Sequence, residues 1–312
     1  MSDQDHEKKS QKNRHGLTRD VPDPVARAVR RDCGFACVVC GSLGMHYDHF
    51  EPEFVDCIEH NPDGIALLCA DCHQDKTSGR LSKSVVAAAR LRAKERWKDP
   101  AWRSQLYGKE VRLRIGSNVL RGPHVGLRLG STPLLRIDAA VDDLEPWSLS
   151  GVLVHGAGEV ARFEQNRVIA CSGNWDVELA GKLLTFRPKH GEIVLELALG
   201  SDELGINRLQ LAWPSGVRLT VDRSGDVVME NLRNTANNNE LGRISFSKNT
   251  IAMSGEPRPE MQLVVMSGTG GARIGEMNLS GNEISGFGGV ADLASFANVS
   301  AFLSDDMLKI QT

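Results

Sequence analysis

Residues 37–40 read CVVC, residues 45–50 read MHYDHF, and residues 60–76 read HNPDGIALLCADCHQDK. Two Cys-x-x-Cys pairs thus bracket an Asp-His step, and the second pair runs directly into a histidine. A two-residue gap lets one tight turn present both sulfurs of a pair to a single ion, and zinc takes four thiolates tetrahedrally at about 2.3 Å. Cys37, Cys40, Cys69 and Cys72, with 28 residues between the pairs, are therefore the expected ligands of a structural Zn2+. Four protein ligands close its shell and leave no position for substrate. Cys33, Cys57 and Cys171 fall outside the spacing and are expected to be free thiols. Seven cysteines are an odd number for a disulfide framework.

Upstream of this cluster, residues 1–20 are polar and of mixed charge, which predicts a mobile tail. DPVARAVRRDCG (23–34) predicts a short helix capped by Asp23, with Pro24 at its first helical position and Gly34 ending it. Downstream, LSKSVVAAARLRAKERW (81–97) predicts a helix with Leu81, Val85, Ala89, Ala93 and Trp97 as its apolar stripe. Between Lys76 and Lys98, eight basic residues face a single acid, Glu95. The whole chain carries a net charge of -3, so any contact with a polyanion is local. The bland reading of the same residues is a solvated helix face.

Composition shifts after a linker at 99–110. Residues 111–312 consist of short runs such as EVRLRIG, LLTFRP and EIVLELAL, separated by Gly, Asn and Ser, which predicts an all-β domain. FEQNRVIACSG (163–173), FSKNTIAMSG (246–255) and GNEISGFGG (281–289) echo one another. Their unequal spacing favours the turns of a β-sandwich over a β-solenoid. The expected class is α+β: a small zinc-bound module with flanking helices (residues 21–98) followed by this β-domain, in which no catalytic spacing is visible. No apolar run approaches the roughly 20 residues of a membrane span. The N-terminus lacks the apolar core of a secretory signal, so a cytoplasmic location away from membranes is expected.

With CVVC, YDHFEPEF, NPDGIALLC and ADCHQDK in order, residues 30–82 resemble the HNH endonucleases of the ββα-metal superfamily. The resemblance implies a zinc-framed ββα-metal module, one catalytic divalent cation and phosphodiester hydrolysis. The residue chemistry agrees. Such hydrolysis needs a nucleophilic water and neutralisation of charge on the phosphate. Asp48 offers a hard oxygen and His73 an imidazole, a pair that suits Mg2+, Mn2+ or Ni2+. His49, expected on the opposite side of its strand from Asp48, suits the role of base at neutral pH. The family's Asn, five residues before the third cysteine, falls here on Gly64. The resemblance then points to Asp63, with Asn61 second, for orienting the base or helping at the metal. His60 reads as a solvated loop histidine and His46 as an exposed strand-edge residue. Lys76 matches the family's Cys-His-x-x-Lys and is expected to contact a phosphate, with Arg80, Lys83, Arg90 and Lys94 extending the basic surface.

These expectations describe an endonuclease acting on nucleic acid, DNA foremost, with low sequence specificity because no base-reading helix can be picked out. Such an enzyme needs restraint. The β-domain is the expected regulator, as a sensor, an oligomerisation surface or a docking site for a targeting partner, a layout like that of bacterial anti-phage defence effectors. The competing reading is a non-catalytic zinc-binding adaptor for nucleic acid or protein. A carbohydrate-active solenoid would need exposed aromatics, and aromatics are only 5% of the chain.

Overall fold

In a computed structural model of the chain, the described residues are 12–96 and 100–231, with breaks at 104–105, 123, 130–131, 141, 143–144, 157, 165, 172 and 213–216, and five further strands beyond residue 231. The fold is α+β, and the chain divides into two compact units, Met1–Ala101 and Trp102–Thr312. Among the described residues no helix is long and apolar enough to cross a membrane.

The first unit contains helix α1 (Asp23–Asp32), strand β1 (His46–His49), strand β2 (Ile65–Leu68), helix α2 (Ala70–Thr77) and helix α3 (Lys83–Arg96). β1 and β2 form an antiparallel hairpin, with His46 opposite Leu68 and His49 opposite Ile65. All four residues of β2 are buried, because α1 and α3 pack against it. Val29, Cys33, Val38, Leu67, Leu68 and Val86 are among the residues of this small core. In α1, Asp23 is the first helical residue and not the cap; Pro22 holds the cap position and makes no side-chain cap bond. Gly34, with φ of 64°, supplies the left-handed turn after the helix.

The buried face of α3 differs from the expected stripe. Val86 and Ala93 are buried and Ala89 partly so, whereas Val85 is 47% exposed. Residues spaced strictly by four drift about 40° per step around a helix of 3.6 residues per turn. The stripe therefore winds away from the core, and burial falls on positions 86, 89, 90 and 93. Trp97 lies outside the described residues.

Arg90, expected on the nucleic-acid surface, is instead turned inward. Its Nε donates to Ile65 O at 3.0 Å and its Nη2 to Pro62 O at 3.5 Å, and Asp32 lies 3.5 Å away. A charged clamp between three elements stabilises the fold, since hydrogen bonds from charged groups contribute about 1.5–3 kcal/mol each. Arg90→Ala is expected to lower the stability of this unit by about 2 kcal/mol, read as a lower urea midpoint.

Residues 12–20 correct the expected mobile tail. Asn13 Nδ2 donates to Phe54 O (2.6 Å) and Cys57 O (2.7 Å), and Arg14 pairs with Asp56 at 2.6 Å. The segment is thus fastened across the loop between β1 and β2. Residues 1–11 lie outside the described residues. Part of the expected linker is also structured: Leu106 is buried, and Trp147 Nε1 donates to Gly108 O at 2.8 Å.

The second unit is built from strands. Five of them, from His124–Leu129 to Arg167–Ala170, form an antiparallel meander in chain order. Seven more, from Asp176–Ala180 to Arg243–Ser247, form another. Alternating burial, as in Val111–Ile115 and Leu195–Leu199, is the period-two signature of one covered face. The sheets also contain parallel pairs, which a purely antiparallel sandwich lacks. Arg243 pairs with Glu276 and Thr250 with Glu283, the same offset of 33 residues in both pairs. The echo between 246–255 and 281–289 thus falls on adjacent parallel strands, stacked as in a solenoid. The echo at 163–173 is instead an antiparallel hairpin, with Asn166 turning at φ of 62°.

Candidate metal centres

The first knuckle is fixed to β2, because Val38 N donates to Leu67 O at 3.0 Å, and Gly41, with φ of 82°, turns the chain back after Cys40. The second knuckle begins at Cys69, the N-cap of α2, which carries Cys72 one turn on. The four Sγ atoms of Cys37, Cys40, Cys69 and Cys72 all lie within 4.8 Å of one another. Cys40 and Cys69 sulfurs are 3.6 Å apart, far beyond the roughly 2.05 Å of a disulfide and close to the about 3.8 Å expected between ligands of a tetrahedral zinc. The four cysteines could therefore hold a structural metal ion such as zinc. Burial, with Cys37 and Cys40 alongside, pushes the Cys72 thiol up to about 12. A divalent cation favours the thiolate and so reverses that cost. Cys33, Cys57 and Cys171 are buried and lie outside the cluster of four, as their spacing predicted.

A second cluster sits where β1 meets α2. Asp48, on β1, is 6% exposed. Its Oδ1 accepts from Lys76 Nζ at 3.0 Å and lies 3.8 Å from His73 Nε2. His73 and Lys76 share a face of α2 because residues three apart are neighbours on a helix. Asp48 Oδ2 is buried and makes no hydrogen bond. A buried acceptor left unsatisfied costs about 1–3 kcal/mol, more when charged, and a cation beside it removes that cost. A carboxylate with one oxygen unpartnered and the other 3.8 Å from an imidazole is a donor set suited to a divalent ion with oxygen and nitrogen ligands. His46 joins the cluster: its ring stacks on His73 with centroids 4.7 Å apart and planes 15° apart. It is half-buried, not exposed, and burial, then His73, lowers its pKa. Strand alternation carried this signal, since His46 and Asp48 are two residues apart and share one side of β1.

His49 follows at the end of β1 and is 7% exposed. Burial, followed by His60, Arg19 and Lys76, pushes its pKa down to about 4, so the ring is neutral at pH 7. Its Nε2 lies 3.0 Å from His60 Nδ1, and His60 Nε2 lies 3.0 Å from Thr18 O. Asp48 and His49 do not diverge as strand neighbours were expected to. Both line one cleft of about 420 Å³ together with Lys12, Arg19, Phe54 and Lys76.

The residues favoured for orienting the base lie elsewhere. Asp63 and Asn61 are exposed. Asn61 Oδ1 accepts from Asp63 N at 3.1 Å and caps a short 3-10 turn at Pro62–Gly64. That bond shapes the loop, whereas the partner of the His49 ring is His60. At Gly64, the position where the resemblance expects Asn, a Cβ would stand 2.1 Å from Glu51 O, so no side chain fits. Among the remaining basic residues, Arg80 pairs with Asp75 at 2.7 Å and Lys83 with Glu53. The side chain of Lys94 lies outside the described part. Besides Lys76, the cleft takes its positive charge from Lys12, Arg14 and Arg19, residues expected in the tail. No local pattern marks them, because the loop that Arg14 and Arg19 contact, at Asp56 and Phe54, lies about forty positions further along the chain.

Compared with known proteins, the chain matches no family model, no curated protein and no solved structure.

Proposed function

We propose that the first unit is a metal-dependent phosphodiesterase that cleaves nucleic-acid strands by HNH-type chemistry. The carrying observation is the buried Asp48, whose Oδ1 lies 3.8 Å from His73 Nε2 and whose Oδ2 has no hydrogen-bond partner, in the same cleft as a neutral histidine. Asp48 and His73 would hold Mg2+, Mn2+ or Ni2+, and such an ion, when bound, serves as a Lewis acid on the scissile phosphate. His49 takes the proton from the attacking water, which a neutral imidazole can do at pH 7. Lys12, Arg19 and Lys76 face the same cleft and hold the phosphate oxygens, contacts that position a strand without reading its sequence. Zinc on the four cysteines is the frame. Residues 102–312 act as regulator, by sensing a ligand, by oligomerisation or by docking a targeting partner.

Nicking of supercoiled plasmid in Mg2+ or Mn2+, compared between wild type and His49→Ala, tests this reading. Cleavage that the substitution removes supports it; equal cleavage by both proteins, or none by either, overturns it. The buried Lys76–Asp48 pair favours the adaptor reading, in which the carboxylate serves packing alone, and that second outcome is what an adaptor gives. Arg19 stacks over the Phe54 ring at 5.3 Å and pairs with no carboxylate among the described residues. Arg19→Ala should weaken DNA binding about equally for all sequences. It should also reduce the slope of log K against log salt by about 1, measured by fluorescence anisotropy across a salt series.

A further inference from the structure

The contact chain from Thr18 to His60 to His49 does more than fill space. A carbonyl oxygen only accepts, so the 3.0 Å contact from His60 Nε2 to Thr18 O places a hydrogen on that nitrogen. With one hydrogen on the ring, His60 Nδ1 is an acceptor, and the 3.0 Å contact to His49 is donated by His49 Nε2. His49 is then left with a bare Nδ1. The ring is held further by Phe54, 5.5 Å away between centroids, and Phe54 O is tied to Asn13. The N-terminal segment thus reaches the base by two routes.

We propose that His60, anchored by the backbone carbonyl of Thr18, is the positioning residue that fixes the tautomer and orientation of His49. Residues 12–19 are in consequence part of the working site. The inference rests on the hydrolysis proposed above. In that reaction His49 Nδ1 accepts a proton from water, the water oxygen bonds to phosphorus, and the P–O3′ bond breaks. The departing oxygen takes its proton from solvent. A His49 of the other tautomer carries hydrogen on Nδ1 and cannot accept. Misorientation of a reacting group of this kind commonly costs about 10²-fold in rate.

Two measurements on the full, zinc-loaded chain test it. In kinetics, His60→Ala is expected to lower kcat about 10²-fold with little change in KM. His60→Gln should recover most of that loss, because one amide offers the same acceptor and donor pair to His49 and Thr18. In nitrogen-15 NMR of histidine side chains, wild-type His49 is expected to carry its hydrogen on Nε2, to lose that preference in His60→Ala, and to regain it in His60→Gln. The proposal is overturned by hydrogen on Nδ1 of wild-type His49, or by a His60→Ala variant whose kcat stays within about twofold of wild type. If wild type cleaves nothing, the hydrolysis reading falls on its own, and the NMR result alone decides the positioning role.

Discussion

Replacing Cys69 with serine is expected to unfold the first unit in the full-length protein. Bound zinc should drop from one per chain to none, and amide protection should disappear across β1, β2 and α2. The expectation follows from the balance of terms. The unit's core is small, and several of its members are alanine or cysteine; a fully buried Leu or Ile contributes only about 1.5–3 kcal/mol. Zinc binding by small folded peptides contributes about 10–16 kcal/mol near neutral pH, as large as the whole net stability of a typical domain, about 5–15 kcal/mol. Cys69 is also the N-cap of α2, so its sulfur couples the knuckle to the helix that carries His73 and Lys76. Metal analysis by mass spectrometry and hydrogen exchange check the result together. A native exchange pattern in the zinc-free protein would show that the core suffices alone. The strands beyond Trp102 bury Trp147 and Phe186 completely, and their unfolding transition should be unchanged.

His49→Ala should reduce plasmid nicking by about 10²–10⁴-fold, the usual contribution of a general base, while zinc content and the unfolding midpoint stay close to wild type. The size of the effect separates catalysis from packing. His49 contacts Phe54 and His60, so its truncation opens a cavity at the rim of the unit. A purely structural role would therefore appear as a lower midpoint with nicking reduced in proportion to unfolded protein. Loss of cleavage by a fully folded variant is the catalytic signature. A single-turnover assay with enzyme in excess isolates the chemical step, and circular dichroism of the same preparation monitors the fold.

Much of the first unit was legible in sequence because its signals are local. Cys-x-x-Cys pairs, the Asp48-His49 step and the Cys-His-x-x-Lys run from Cys72 to Lys76 all act within a few residues. The four thiols do converge, and Asp48 and His73 do meet. Misreadings arose where a contact bridges distant parts of the chain. Arg90 looked like surface charge because its partners, Ile65 O, Pro62 O and Asp32, are dispersed along the sequence. Residues 12–20 looked mobile because they bury few apolar groups; hydrogen bonds and one ion pair hold them instead. In the strand-rich unit, the repeats at 246–255 and 281–289 looked irregular until their parallel pairing set a common offset.

By itself, the sequence determined which atoms are available: four soft sulfurs spaced for one ion, a carboxylate and an imidazole flanking them, and period-two runs that form strands. Tertiary structure alone decided which histidine touches His49, which arginines line the cleft, and that one oxygen of Asp48 is buried without a partner. The physical reason is range. Spacing along a helix or strand is set by backbone geometry within one or two turns, whereas desolvation and hydrogen-bond satisfaction depend on every segment that arrives from elsewhere in the chain.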